Sequence, residues 1–80
     1  MEMNKQNLSA QEMFEKLGYT CVKSDGVITY RKHIGTCICE IDFWFDFDEY
    51  SAIETLGRMF IDADTHKAIT KQMQELGWLE

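Results

Sequence analysis

The segment CEIDFWFDFDEY, residues 39–50, constrains the fold of this chain more than any other stretch. Apolar and polar residues alternate along it, which predicts a β-strand with one buried and one solvated face. The solvated face is unusual because four of its five side chains are carboxylates. The two sets are Cys39, Ile41, Phe43, Phe45 and Phe47 on the predicted buried face, and Glu40, Asp42, Trp44, Asp46 and Asp48 on the solvated face.

A helix is predicted on each side of this region. Ser9 opens a capping box of the form Ser-x-x-Glu, and Gly18 stands where a left-handed residue ends a helix. Asp62 or Asp64 is placed to begin a second helix, which Gly77 ends. An aromatic residue follows each of the two glycines and can fold back on its own helix.

Two tight turns predict how the strands pair. Asp25-Gly26 is a strong two-residue hairpin signal and would pair Cys21 with Tyr30. A weaker turn at Ile34-Gly35 would pair Tyr30 with Cys39. Both registers place the same residues on the same face, which supports one continuous antiparallel sheet.

The predicted fold class is therefore α+β, with the order α-β-β-β-β-α. An antiparallel sheet of three to four strands carries two helices packed on one face. The fourth strand is expected somewhere between residues 51 and 61. The 80 residues, which include no proline, are expected to form a single domain over residues 1–80.

Negative charge is concentrated in one part of the chain. The net charge is −6, and the stretch from Glu40 to Asp64 holds eight acidic residues against one base, Arg58. In the predicted register no base lies directly opposite Glu40 or Asp42, since Arg31 is only a diagonal neighbour of Glu40. Such a surface repels nucleic acid and attracts a basic protein.

Metal binding has weak support in the sequence. Asp46, Asp48 and Glu49 offer oxygen ligands for calcium or magnesium, but a calcium loop counted from Asp46 has Ser51 where glycine is required. Cysteine pairs of the CxxC type are absent. The sequence predicts no bound metal and no cofactor, with a divalent-ion site near Asp46 and Asp48 as a lesser alternative.

The three cysteines are expected to be free thiols. Cys37 and Cys39 share one face of a strand, while Cys21 lies two strands away, too far for a disulfide with Cys39. The two histidines lack a nucleophile or an orienting carboxylate at motif spacing, so an enzyme is not expected. Without an apolar segment of membrane-spanning length or a hydrophobic signal region, the expected location is the cytoplasm, with no membrane partner.

Two stretches, FEKLGYTCVKSDGVITYRK and HKAITKQMQELGWLE, resemble small acidic proteins encoded by phages and prophages of Gram-positive bacteria. The resemblance spans nearly the whole chain, and its motifs are structural: two capped helices, each closed by Leu-Gly-aromatic, around a hairpin sheet. It assigns no functional residues. It implies a phage context, in which small acidic proteins include inhibitors of host defence, among them anti-CRISPR proteins and other DNA mimics.

The leading hypothesis is a non-enzymatic binding protein acting in the host cell. Its acidic strand face would occupy the basic groove of a nucleic-acid-binding host protein, such as a CRISPR effector nuclease, and would not bind nucleic acid itself. One alternative is a phage assembly module, including a homodimer; another is a face that serves only solubility. The expected partner-binding residues are Glu40, Asp42, Trp44, Asp46, Asp48, Glu49 and Tyr50.

Overall fold

The computed structural model describes residues 8–79. Its elements are α1 (Ala10–Lys16), β1 (Thr20–Ser24), β2 (Val27–Ile34), β3 (Cys37–Trp44), β4 (Glu49–Glu54) and α2 (Ala63–Glu75). The four strands form one antiparallel sheet in chain order, and both helices pack on the same face, which we call the inner face. The predicted α+β class and the order α-β-β-β-β-α are confirmed.

The predicted capping box begins α1. The Ser9 hydroxyl oxygen accepts the backbone N–H of Glu12 at 3.1 Å, and Glu12 Oε1 accepts the N–H of Ser9 at 2.8 Å. Gly18, at a φ of 97°, follows the end of the helix. Tyr19 then packs edge-on against Phe14 with 5.4 Å between ring centres, as the glycine–aromatic pattern predicts.

The same plan recurs in α2. Of the two predicted caps, Asp62 is the one that begins the helix, and its side chain accepts the N–H of Thr65 at 2.8 Å. Gly77 has a φ of 79°, and the N–H of Trp78 donates to the Met73 carbonyl at 2.9 Å. Both ends of the helix therefore satisfy backbone groups that a helix leaves unpaired.

Aromatic side chains join the helices to the middle of the sheet. Phe14 stacks on Tyr30 with 3.9 Å between ring centres, and Phe43 meets Phe14 edge-on at 6.2 Å. The Trp78 ring lies 6.2 Å from that of Phe43. The buried Tyr30 hydroxyl donates to the side-chain oxygen of Gln72 in α2, so its polar atom has a partner within the core.

The first hairpin has the predicted register, whereas the second differs by one residue in its turn. Cys21 pairs with Tyr30 across the Asp25-Gly26 turn. The second turn consists of residues 35 and 36, so Tyr30 pairs with Ile41, and the predicted pairing with Cys39 is wrong. Gly35 has a φ of 61° and takes the first turn position, where a primed turn needs a positive φ.

That one-residue change moves every partner on β3 by two residues. The inner and outer faces are preserved because side chains alternate with a period of two, but each residue meets a different neighbour. The fourth strand also begins earlier than predicted, at Glu49, and ends at Glu54. Both differences alter the surroundings of the acidic segment.

Candidate functional site: the acidic tip

The acidic segment does not form one continuous strand. β3 ends at Trp44, residues 45–48 reverse the chain, and β4 begins at Glu49. The prediction that Phe45 and Phe47 face the core is therefore wrong, since their exposed fractions are 37% and 69%. The reversal ends at Asp48, whose φ of 51° is a left-handed conformation that Asp tolerates better than most residues.

We call residues 39–44 the strand half of the acidic segment and residues 45–50 its turn half. Glu40, in the strand half, is neutralised by its neighbour. The actual register sets Arg31 directly opposite Glu40, which corrects the predicted diagonal arrangement. Arg31 donates to Glu40 Oε1 from Nε at 3.0 Å and from Nη2 at 2.8 Å. These hydrogen bonds hold the pKa of Glu40 below its ordinary value. The carboxylate of Glu40 is thus already paired within the sheet.

Asp42 is almost completely buried. Only 6% of it is exposed, and its Oδ1 accepts the Thr29 hydroxyl at 2.6 Å. Burial raises the pKa of the Asp42 carboxyl, and the nearby Glu40 acts in the same direction. We call Glu40 and Asp42 the strand pair. The expectation that these two carboxylates are not neutralised within the sheet is therefore wrong, while their part in partner binding stays a prediction.

The turn half of the segment has the opposite character. The N–H of Phe45 donates to the Gly26 carbonyl at 2.9 Å, so the β3–β4 turn lies against the β1–β2 turn. We call residues 25–26 and 44–50 together the acidic tip. Within residues 8–79, no base pairs with its carboxylates, and the tip itself contains no lysine or arginine. All four carboxylates are exposed: Asp25, Asp46, Asp48 and Glu49.

Exposed aromatic rings accompany these carboxylates. Trp44, 41% exposed, lies on the outer face opposite Val27 and donates its indole N–H to Ser51 Oγ at 3.1 Å. Tyr50, 40% exposed, rests against Phe43 with 5.6 Å between ring centres. Their orientation is therefore fixed by contacts within the domain while a large part of each ring remains open. Fixed, accessible aromatics are frequent anchors of protein interfaces.

Five of the seven predicted site residues come together at the tip, and two do not. Trp44, Asp46, Asp48, Glu49 and Tyr50 belong to the tip, whereas the strand pair lies further along β3 and is occupied by internal contacts. Sequence analysis missed three tip residues. Phe45 and Phe47 were assigned to the core. Asp25 was interpreted only as part of a turn. It belongs to the tip because the actual register sets Val27 opposite Trp44.

Potential metal ligands converge elsewhere. Within residues 8–79, the group of at least three candidate ligands whose donor atoms lie within 4.8 Å of one another is Cys37, Cys39 and Glu54. The turn carboxylates Asp46 and Asp48, considered from sequence as a divalent-ion site, are not part of it.

Comparison with known proteins does not add a family to this description. No family model, no curated protein and no solved structure matches the chain. Across residues 8–79, none of the helices has the length and apolar character needed to span a membrane.

Proposed function

We propose that this protein is a non-enzymatic binding protein that docks its acidic tip onto the basic surface of a nucleic-acid-binding protein. The observation that carries the proposal is the presence of four exposed carboxylates beside four exposed aromatic rings at one end of the sheet, with no base among them. By occupying that basic surface, the tip would compete with DNA or RNA.

Charge and aromatic surface would contribute differently to such a complex. Carboxylates concentrated at one end of a small domain steer it towards a basic partner and raise the association rate, an effect that salt weakens. Burial of Trp44 or Phe47 in a pocket of the partner would supply affinity that salt does not screen. The tip would therefore imitate the negative charge and the stacking surfaces of a nucleic acid. It would not imitate the regular spacing of the phosphates.

The resemblance to phage-encoded proteins directs the choice of partner. It favours a host defence protein, and a CRISPR effector nuclease is the first candidate because it holds nucleic acid in a basic channel. The proposed location is accordingly the cytoplasm of the host cell. Inhibition would follow from occupation of the channel and would need neither a cofactor nor catalysis.

A matched pair of variants tests the proposal. The tip variant is Asp46→Asn with Glu49→Gln, and the strand variant is Glu40→Gln with Asp42→Asn, so each removes one aspartate and one glutamate charge. Tagged wild type should capture a nucleic-acid-binding protein from a bacterial lysate, and added DNA or RNA should release it. The strand variant should capture the same protein, and the tip variant should not. Equal capture by both variants would show that the tip is not the binding surface.

A second candidate function rests on the free edge of β4. This strand is the last in the sheet, and Ile53 on its outer face is 59% exposed. Pairing of two β4 edges would produce a homodimer suited to a phage assembly role. The mass of the protein in solution, measured by analytical ultracentrifugation, distinguishes the two functions. A dimer that Ile53→Lys converts to a monomer would favour the assembly role.

A further inference from the structure

Two thiols and a carboxylate meet at the end of the inner face that lies away from the acidic tip. Cys37 and Cys39 are two residues apart on β3 and therefore point to the same side of the sheet. Glu54 is directly opposite Cys39 on β4. The three donor atoms lie within 4.8 Å of one another, and Cys39 Sγ is 3.8 Å from Glu54 Oε2. We call these three residues the thiol cluster.

The cluster places a charged residue in a series of cross-strand pairs on the inner face that are otherwise apolar. The two preceding inner rows between β3 and β4 pair Phe43 with Tyr50 and Ile41 with Ala52. The next row pairs Cys39, which is 6% exposed, with the half-buried Glu54. A carboxylate beside two buried thiols contributes little to packing, whereas this donor set suits a metal ion that accepts both sulfur and oxygen ligands.

The backbone around the cluster holds the two strands together. The N–H of Thr55 donates to the Ile38 carbonyl at 3.1 Å, and the Thr55 hydroxyl oxygen accepts the N–H of Ile38 at the same distance. Glu54 also forms a backbone bridge with Gly57. These contacts fix Glu54 relative to β3, so the carboxylate is positioned by the fold and not by a mobile chain end.

The geometry points to a binding site for a zinc-like divalent ion, which we propose is held by Cys37, Cys39 and Glu54, with water as the fourth ligand. A tetrahedral zinc ion with sulfur at about 2.3 Å and oxygen at about 2.0 Å separates its ligand atoms by about 3.5–3.8 Å. Donor atoms already within 4.8 Å of one another reach that spacing by small side-chain rotations. Each thiol that binds the ion gives up its proton to solvent.

Protons compete with the ion for the thiols of the cluster. Burial raises the pKa of the Cys39 thiol, and Cys37 and Glu54 act in the same direction, so without metal the thiol keeps its proton. Affinity for the ion should therefore rise with pH as proton competition falls.

The ion would act as a clamp on the free edge of the sheet. β4 is an edge strand with a neighbouring strand on one side only, and the cluster joins its last residue, Glu54, to two residues of β3. An ion that binds the folded state and not the unfolded state raises the free energy of unfolding. The role is independent of the proposed partner-binding tip, which lies at the opposite end of β3.

The test uses the reduced, metal-free full chain titrated with Cd²⁺, whose thiolate complexes absorb in the ultraviolet. We expect the band to saturate at about one equivalent of Cd²⁺ in the wild type, to be lost in Cys37→Ser and in Cys39→Ser, and to need about tenfold more Cd²⁺ in Glu54→Gln. The matched control is Cys21→Ser, which should titrate as the wild type does. Absence of the band from the wild type, or its loss in Cys21→Ser, would overturn the proposal.

A second measurement needs no substitution and so does not depend on the variants folding. Zn²⁺ should slow alkylation of Cys37 and Cys39 in the wild type, as followed by peptide mass spectrometry, while Cys21 reacts at an unchanged rate. It should also raise the melting temperature. If Zn²⁺ leaves the alkylation rates of Cys37 and Cys39 unchanged, the result would contradict the site.

Discussion

The strand half and the turn half of the acidic segment have similar compositions and opposite surroundings. In the strand half, Glu40 is bound by Arg31 and Asp42 is buried against Thr29. In the turn half, the carboxylates of Asp46 and Glu49 are exposed and lie beside open aromatic rings. The difference shows that the side-chain contacts of each carboxylate, and not the charge density along the sequence, determine whether it is exposed.

The largest expected effect is a difference in the free energy of unfolding between alanine substitutions at Phe43 and at Phe47. Phe43 is fully buried against Phe14 and Tyr30, so Phe43→Ala should lower the free energy of unfolding by about 3–5 kcal/mol. Phe47 is 69% exposed, so Phe47→Ala should change it by less than about 0.5 kcal/mol. Urea unfolding followed by circular dichroism measures both. A similar loss in the two variants would mean that the turn half is part of the core.

The next effect concerns binding rather than stability. Phe47→Ala should weaken affinity for the captured partner by about tenfold, equivalent to about 1.4 kcal/mol, because an exposed aromatic at the tip is a candidate anchor. Val22→Ala is the control, since Val22 is a 50% exposed apolar residue on the edge strand β1 and outside the tip. Isothermal titration calorimetry with the purified partner provides the comparison. Equal losses from both substitutions would remove the distinction between tip and sheet surface.

A smaller effect tests the burial of Asp42. Because its pKa is raised in the folded state, folding favours the protonated form, and the wild type loses stability as the pH rises through that pKa. Asp42→Asn removes this loss and keeps an acceptor for the Thr29 hydroxyl. We expect the variant to be about 0.5–1 kcal/mol more stable at neutral pH, with the difference disappearing below about pH 3. Destabilisation at neutral pH would contradict the burial of this carboxylate.

The smallest effect belongs to the pair of Arg31 and Glu40. The pKa of Glu40 is lowered in the folded state, so its stabilising contribution is present above its ordinary pKa and is lost as the pH falls through the folded value. This pair is partly exposed, so its interaction energy in a double-mutant cycle with Arg31→Gln and Glu40→Gln should be below about 1 kcal/mol. The energy should decrease further in high salt. No coupling between the two substitutions at low salt would contradict the contact.

Local signals in the sequence predicted most of the fold. Capping residues such as Ser9 and glycines such as Gly18 act within a few residues of themselves, so both helices and the return of Tyr19 onto Phe14 were predicted correctly. The Asp25-Gly26 turn likewise set the first register. Each of these signals involves a physical preference that neighbouring residues alone satisfy.

The rest depended on interactions between distant parts of the chain. The alternation of residues 39–50 continues through the β3–β4 turn, so periodicity alone could not show where β3 ends. The second hairpin turn had two adjacent positions available, and the turn at Gly35 and Thr36 is what sets Arg31 directly opposite Glu40. Glu54 lies beside the cysteine pair because of the register of β4. The predicted start of that strand was two residues after the actual start. The tip and the thiol cluster were therefore assembled by pairings that the sequence left open.

The salt dependence of partner binding tests the central claim most directly. Affinity for the captured partner would be measured over a range of sodium chloride concentrations for wild type, the tip variant and the strand variant. We predict that wild type and the strand variant weaken steeply and in parallel, whereas the tip variant binds weakly with a shallow dependence on salt. A strand variant that loses the salt dependence while the tip variant retains it would contradict the account.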